Sequence, residues 1–447
     1  LFPLQPEIKY MSMETIYLGI VIFLFVLAIF DLVVGVSNDA VNFLQSAVGA
    51  KAASFKTILF IAGIGVFIGA ALSNGMMDIA RHGIYQPEHF YFAEIMCILL
   101  AVMLTDVVLL DVFNTMGMPT STTVSMVFEL LGGTFALALI KVYNSDTLGL
   151  GDLINTDKAL SVIMAIFVSV AIAFFFGMLV QWLARIVFTF NYKKNMKYSI
   201  ALFGGIAATS IIYFMLIKGL KDSSFMTPEN KQWIHDNTAL LITGFFVFFT
   251  ILMQILHWCK INVFKVVVML GTCALAMAFA GNDLVNFIGV PYAGYDSYQI
   301  ANGGAPTSME ALINPTQANI WIMCAAGLVM VITLFTSKKA MRVIETERKL
   351  SSQSEEVSPS NNEATNASRG IVRGARALSN AVEAITPKRV LDYIESRFTP
   401  LSEEERGDAN YDLIRATVNL TAAAILISIG TQLKLPLSTT YVVFMVS

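Results

Sequence analysis

Two short polar stretches occur twice in this chain, and they carry the residue types that bind ions. Asn38-Asp39-Ala40-Val41-Asn42-Phe43 returns as Asn282-Asp283-Leu284-Val285-Asn286-Phe287. Pro119-Thr120-Ser121-Thr122-Thr123 returns as Pro436-Leu437-Ser438-Thr439-Thr440. In each half the Asn-Asp stretch comes first, and each stretch breaks or terminates a long apolar run. On a helix Asn38 and Asn42 share a face, with Asp39 beside it. A carboxylate and two amide oxygens make a hard, oxygen-rich corner suited to a small cation such as Na+. Asn282, Asp283 and Asn286 repeat that corner. After Pro119, the residues Ser121, Thr122 and Thr123 fall where the next helix opens, and Ser438, Thr439 and Thr440 do so after Pro436. Free backbone N–H groups and the helix dipole favour an anion there, and the hydroxyls add donors. Taken singly, each stretch reads equally as a helix cap. The ordered duplication makes the four stretches the expected walls of one buried ion site.

The groups near these motifs constrain the chemistry further. Hardly any Lys or Arg lies deep in the apolar runs. An oxyanion bound there must be held by hydroxyls, helix N-termini and metal cations. Asp39 and Asp283 alone would repel it; with cations seated on them they attract it, a physical reason for obligatory co-transport. Asp31, Asp106, Asp111 and Glu129 also fall at membrane depth, where ionisable groups are costly and usually functional. The other expectation for them is water-exposed span ends or neutral, hydrogen-bonded acids. Asp106 and Glu129 are the candidates for a further coupling cation or proton. No zinc-type His spacing, phosphate loop or nucleophile elbow occurs, so the chain is not expected to be an enzyme. His82, His89, His235 and His257 lie in or near connectors, and Cys97, Cys259, Cys273 and Cys324 read as packing residues.

The elements that must position these residues are membrane spans. The chain is 56% hydrophobic and 14% charged, where a soluble protein carries roughly a quarter charged residues. A net charge of −3 gives no reason to expect a nucleic-acid partner. Apolar runs fall at about 16–36, 57–73, 93–112, 120–140, 160–188, 199–218, 238–257, 263–281, 318–336 and 412–432, with a partial one at 435–447. The expected fold is an all-α polytopic membrane protein, an inverted-repeat transporter bundle with broken helices and about 11–12 transmembrane segments. Arg185, Lys193, Lys194 and Lys197, then Lys260 and Lys265, then Lys338, Lys339 and Arg342 mark cytoplasmic connectors, two spans apart in turn. Lys51 and Lys56 then lie inside, while 141–159, 282–317 and the N-terminus lie outside. Seven runs separate the two Asn-Asp copies, so the helices that carry them point in opposite senses.

The expected organisation is a leader at 1–15, a first membrane repeat at 16–141 and connecting spans at 142–262. The second repeat occupies 263–336 and resumes at 411–447, interrupted by a cytoplasmic insert at 337–410. Within the insert, Ser351 to Ser368 reads as linker, and 371–398 as a helical pattern ended or kinked by Pro387. Residue 1 is Leu and Met11 or Met13 is a more natural start, so residues 1–10 are set aside. The apolar end at 435–447 reaches only ~20 Å as helix, short of the ~30 Å hydrocarbon core, which suggests that the natural chain continues.

At these motifs the chain resembles the Pit-type inorganic phosphate transporter family, which carries a duplicated Gly-Ala-Asn-Asp-Val-Ala-Asn-type signature and a Pro-x-Ser-Thr-Thr motif in each half. The matching residues are Val36 to Asn42, Ala280 to Asn286, Pro119 to Thr123 and Pro436 to Thr440. Thr431, five residues before Pro436, also fits the family pattern, and the first half has Asn114 at that place. Val41 and Val285 stand where Ala is usual, and Ser37 and Gly281 alter the lead-in. The resemblance implies cation-coupled phosphate symport at the cytoplasmic (inner) membrane, with Na+ or H+ according to member, twelve spans and inverted repeats. On that basis Asn38, Asn282, Ser121, Thr122, Thr123, Ser438, Thr439 and Thr440 are expected to contact phosphate, and Asp39, Asn42, Asp283 and Asn286 to hold Na+. H+-coupled phosphate or sulfate uptake is the alternative within the fold, and an ion channel the alternative outside it. A homodimer is entertained as the assembly, with nothing in the sequence to fix it.

Overall fold

The structure is a computed structural model, and it describes residues 13–73, 80, 84–190, 199–218, 227–303, 307–314, 319–350, 365–399, 412–433, 435 and 437–447. Most of the leader, His82, Lys193, Lys194, Lys197, Pro436 and the insert segments 351–364 and 400–411 lie outside the described residues. The chain is helical throughout the described residues, where the only β pairings are two isolated bridges. Apart from the short helices Leu150–Leu153 and Pro228–Asp236, the α-helices are α1 (Met13–Gly49), α2 (Phe55–Leu72), α3 (Phe92–Met116), α4 (Thr122–Tyr143), α5 (Thr156–Phe188), α6 (Ser199–Ile212) and α7 (Thr238–Trp258). They continue as α8 (Val263–Ile300), α9 (Ile320–Thr336), α10 (Lys338–Leu350), α11 (Asn366–Ile385), α12 (Lys388–Arg397), α13 (Leu413–Gln432) and α14 (Thr439–Val446). Among the described residues eight helices are long and apolar enough to cross a membrane; α9 with α10, bent by 70°, could make a ninth. Backbone polar groups cannot stay unpaired in hydrocarbon, and helices satisfy them internally.

The two Asn-Asp stretches do not break their helices. α1 runs unbroken for 37 residues and α8 for 38, each about 55 Å long, and each carries its motif in the interior of the helix. The side chains of Asn38, Asp39 and Asn42 find partners on other helices, so they do not compete for their own backbone ladder. The breaks fall elsewhere. Gly117, with φ of 70°, ends α3 in the left-handed conformation two residues before Pro119. A second break separates α13 from α14, and a third is the bend at Ser337.

The bundle is organised on α8, which packs against α1, α2, α13, α6 and α3. α8 and α13 are the most enclosed spans, and α7 on the periphery packs mainly on α6. Small residues permit the closest approach, of α2 to α8. A Cβ on Gly65 would lie 2.2 Å from the Cys273 carbonyl oxygen, and one on Gly69 2.2 Å from that of Met277. Gly133 packs on Ile98, whereas Gly132 faces open space.

Charged contacts gather at the two ends. At one end Lys339 meets Asp111 at 2.5 Å, Arg185 meets Asp412 at 2.7 Å, and Arg397 donates to the Ile186 and Val187 carbonyls. Asp111, in the last two turns of α3, is half-exposed and paired with Lys339. At the other end Glu94 meets Lys141 at 2.7 Å, and backbone bridges join Tyr85 to Ile154 and Tyr91 to Ser308. The insert forms the expected helices: α11 stops at Ile385 and Pro387 caps α12. The charged helix α10 packs against α1 and α3.

Candidate functional site

Chain topology brings the four motifs to one place. The interiors of α1 and α8 supply the Asn-Asp faces, and the N-termini of α4 and α14 point their first turns at them. Ser121 and Ser438 are the N-caps of these two helices; their hydroxyls accept from Val124 N at 3.3 Å and Tyr441 N at 3.1 Å. The serines thus hold the helix starts in place, and the threonines that follow face inward. Asn38, Asp39, Asn42, Ser121, Thr122, Thr123, Asn282, Asp283, Asn286, Ser438, Thr439 and Thr440 are all buried.

Threonine hydroxyls lace the two aspartates together. Asp39 accepts from Thr122 at 2.9 Å and from Thr440 at 3.3 Å. Asp283 accepts from Thr439 at 2.5 Å and from Thr123 at 3.2 Å. Thr440 and Thr123 also have carbonyls within reach in the other half, those of Thr120 and Leu437. Each aspartate is thus served by one threonine from its own half of the chain and one from the other half.

The asparagines divide the work in the same way. The first of each pair binds its own half. Asn38 donates to Asn114 Oδ1 and the Met118 carbonyl and accepts from Thr120 N, while Asn114 donates in turn to the Val34 carbonyl. Asn282 donates to Asp283 and the Leu437 carbonyl, and its oxygen accepts from Thr431. Asn114 and Thr431, which stand five residues before the two prolines, therefore hold equivalent asparagines. The expected contact of Asn38 and Asn282 with phosphate would require these bonds to open. The second asparagine reaches across. Asn42 Nδ2 donates to Thr440 at 3.1 Å, and Asn286 Nδ2 to Thr122 at 3.1 Å and Thr123 at 3.0 Å.

Two acceptors remain unused. Asn42 Oδ1 and Asn286 Oδ1 are buried with no donor. A buried amide oxygen without a partner costs about 1–3 kcal/mol, which a cation would offset. These two oxygens stand beside the two carboxylates as hard ligands of the kind Na+ takes. Carboxylate, amide and hydroxyl oxygens together are the donor set of a hard cation.

The other candidates, Asp106 of α3 and Glu129 of α4, lie together one to two turns along α4 from Thr122. Both meet the Ser125 hydroxyl, and Asp31 of α1 joins them. Sequence gave no sign that Gln45 of α1 would donate to Glu347 of α10 at 2.8 Å, because the partners are 302 residues apart. Pro291 lies inside α8, and α1 has no proline to match it.

Known proteins resemble this chain in sequence and in fold. Residues 35–350 match the profile of the phosphate transporter family. A protein described as a phosphate permease in Helicobacter pylori strain J99 is 25% identical over 316 residues, 68% of this chain. The chain spans only 55% of that relative's length. A similarly described protein of Pyrococcus horikoshii is 27% identical over 69% of this chain and 72% of its own length. A solved structure of a sodium-dependent phosphate transporter has the same fold, with a TM-score of 0.65 and 18% identity over 96% of this chain and 88% of its own. By its matched core, which contains three of the four motifs, the chain belongs to the phosphate transporter family.

Proposed function

We propose that this protein is a secondary transporter that carries inorganic phosphate across the cytoplasmic membrane together with Na+. The observation that carries the proposal is the lacing of Asp39 and Asp283 by Thr122, Thr123, Thr439 and Thr440, with unused amide oxygens of Asn42 and Asn286 alongside. Family membership supports phosphate as substrate, and the name of the solved relative supports Na+.

The geometry suggests why cations and anion must travel together. The four hydroxyls donate to the two carboxylates, so their protons are engaged. Na+ seated on a carboxylate takes over the balancing of its charge. The hydroxyl proton is then free to turn toward phosphate, whose charge the same ions balance. Asp39, Asp283, Asn42 and Asn286 hold the cations in this scheme, and the threonines with the N-termini of α4 and α14 receive the anion. Asn38 and Asn282 keep the turns before those helices in register. The basic end, bearing Arg185, Lys338, Lys339 and Arg397, faces the cytoplasm, as the bias of Lys and Arg demands. The N-terminus then lies outside, and α10 to α12 lie inside.

Uptake of labelled phosphate by proteoliposomes tests the proposal. An inward Na+ gradient should drive saturable uptake, and Asp39→Asn or Asp283→Asn should abolish it. Uptake indifferent to Na+, or full Na+-driven uptake by either variant, would overturn it.

A further inference from the structure

Eight residues before Asp39, α1 buries another carboxylate. Asp31 is wholly shielded from solvent, and neither of its oxygens meets a donor. Its carboxyl lies against that of Asp106 on α3. Asp106, buried as well, accepts from the Ser125 hydroxyl of α4, and the same hydroxyl is 2.9 Å from Glu129 Oε1. Asp106 Oδ2 and Glu129 Oε2 are buried without donors. A hydroxyl has one proton to give, so Ser125 serves Asp106 or Glu129 but not both. Among the described residues, the charged groups that act on the three carboxyls are one another and Asp39, all of them acids.

Two ionised carboxylates sharing one hydroxyl, with a third beside them that has no donor, are too costly in the membrane interior. The cluster needs positive charge, and a proton supplies it with a single O–H bond. Placed between two touching carboxyls, it turns their repulsion into a hydrogen bond. We propose that Asp31, Asp106 and Glu129 form a proton-loading site, distinct from the Asp39–Asp283 site, that moves H+ along with phosphate. It rests on the transport reading above. Loading forms one O–H bond between a carboxyl oxygen and a proton from water on one side of the membrane. Unloading breaks that bond and returns the proton to water on the other side. Glu129, only partly buried, is the member through which protons enter. Ser125 lies one turn beyond Thr122, and Asp31 about two turns before Asp39, so the two sites share α1 and α4.

The test uses the full chain in proteoliposomes with saturating Na+, counting protons by an internal pH dye, Na+ by isotope and phosphate by isotope. Asp31→Asn should lower protons moved per phosphate by about one and leave Na+ per phosphate unchanged, and Asp31→Glu should restore the proton. If Asp31→Asn does not fold, by its melting curve, Glu129→Gln provides the same measurement at a less buried position. An unchanged proton ratio, or a variant that loses one Na+ instead, would overturn the proposal. Equal ratios for Asp31→Asn and Asp31→Glu would do so too. Wild-type vesicles that take up no phosphate at all would remove the transport reading, and this site with it.

Discussion

Replacing Thr439 by Val tests whether the threonine protons switch between carboxylate and phosphate. Val keeps the branched shape and removes the hydroxyl. Thr439 is the sharpest probe because its contact with Asp283, at 2.5 Å, is the shortest of the four. Hydrogen bonds to charged groups contribute about 1.5–3 kcal/mol, equivalent to about 10- to 150-fold in an affinity. In a switch, the hydroxyl serves Asp283 before Na+ binds and phosphate afterwards. Its loss leaves the empty carboxylate less satisfied, so Na+ should bind more tightly. Phosphate loses a donor and should bind more weakly, by that same 10- to 150-fold.

The two half-saturation constants should therefore move in opposite directions, and transport in proteoliposomes measures both. Thr122→Val, which removes a 2.9 Å contact with Asp39, should behave in the same way. Thr440→Val, at 3.3 Å, should shift Na+ by only a few-fold, in keeping with about 1 kcal/mol for a weaker bond. If Na+ and phosphate affinities both weakened in Thr439→Val, the hydroxyl would be a direct Na+ ligand, and the switch would be refuted.

Other substitutions probe the scaffold. Asn114→Ala removes the partner of Asn38 and the donor to the Val34 carbonyl; it should lower stability by about 1–3 kcal/mol and weaken phosphate binding, read by melting curves and uptake. Gly69→Ala would set a Cβ 2.2 Å from the Met277 carbonyl oxygen and force α2 off α8, lowering the melting temperature by the equivalent of about 1–3 kcal/mol. Burial pushes the Glu347 carboxyl on α10 up to about 7, against the pull of its bond from Gln45. An acid raised on folding stabilises the protein below its ordinary value of 4.5, and that contribution is lost as pH rises through about 7. The melting temperature should fall between these limits, and Glu347→Gln should flatten the slope.

Sequence made the spans legible because apolar length alone specifies them, and made the site legible because its polar residues recur in order. It placed Asn38 and Asn42 on one helix face with Asp39 beside it, but held no information on what they would meet. Side chains that bond outward leave a helix intact, so the long runs continue through the motif where a break was expected. The partner of Thr440 on Asp39 is 401 residues away, and that of Glu347 on Gln45 is 302 residues away. Such pairings arise from how whole helices pack, and no local periodicity encodes them. The cost of Asp31 within an apolar run is legible in the sequence, but its lack of a donor is a property of the packed bundle.

The lengths of the bonds at the site bear on how a transporter could open there. Within a half, Thr122 reaches Asp39 at 2.9 Å and Thr439 reaches Asp283 at 2.5 Å. Between halves, Thr440 reaches Asp39 at 3.3 Å and Thr123 reaches Asp283 at 3.2 Å, and the bonds of Asn42 and Asn286 run across at 3.0–3.5 Å. The tight contacts hold each half together and the looser ones form the seam. At the site each carboxylate has its shortest donor in its own half of the chain. Away from the site the halves are interleaved: α2 of the first half packs on α8 of the second, with Gly65 and Gly69 against the Cys273 and Met277 carbonyls. A movement that loosens the seam therefore cannot part the two halves as whole units, because α2 and α8 are held together by backbone contact.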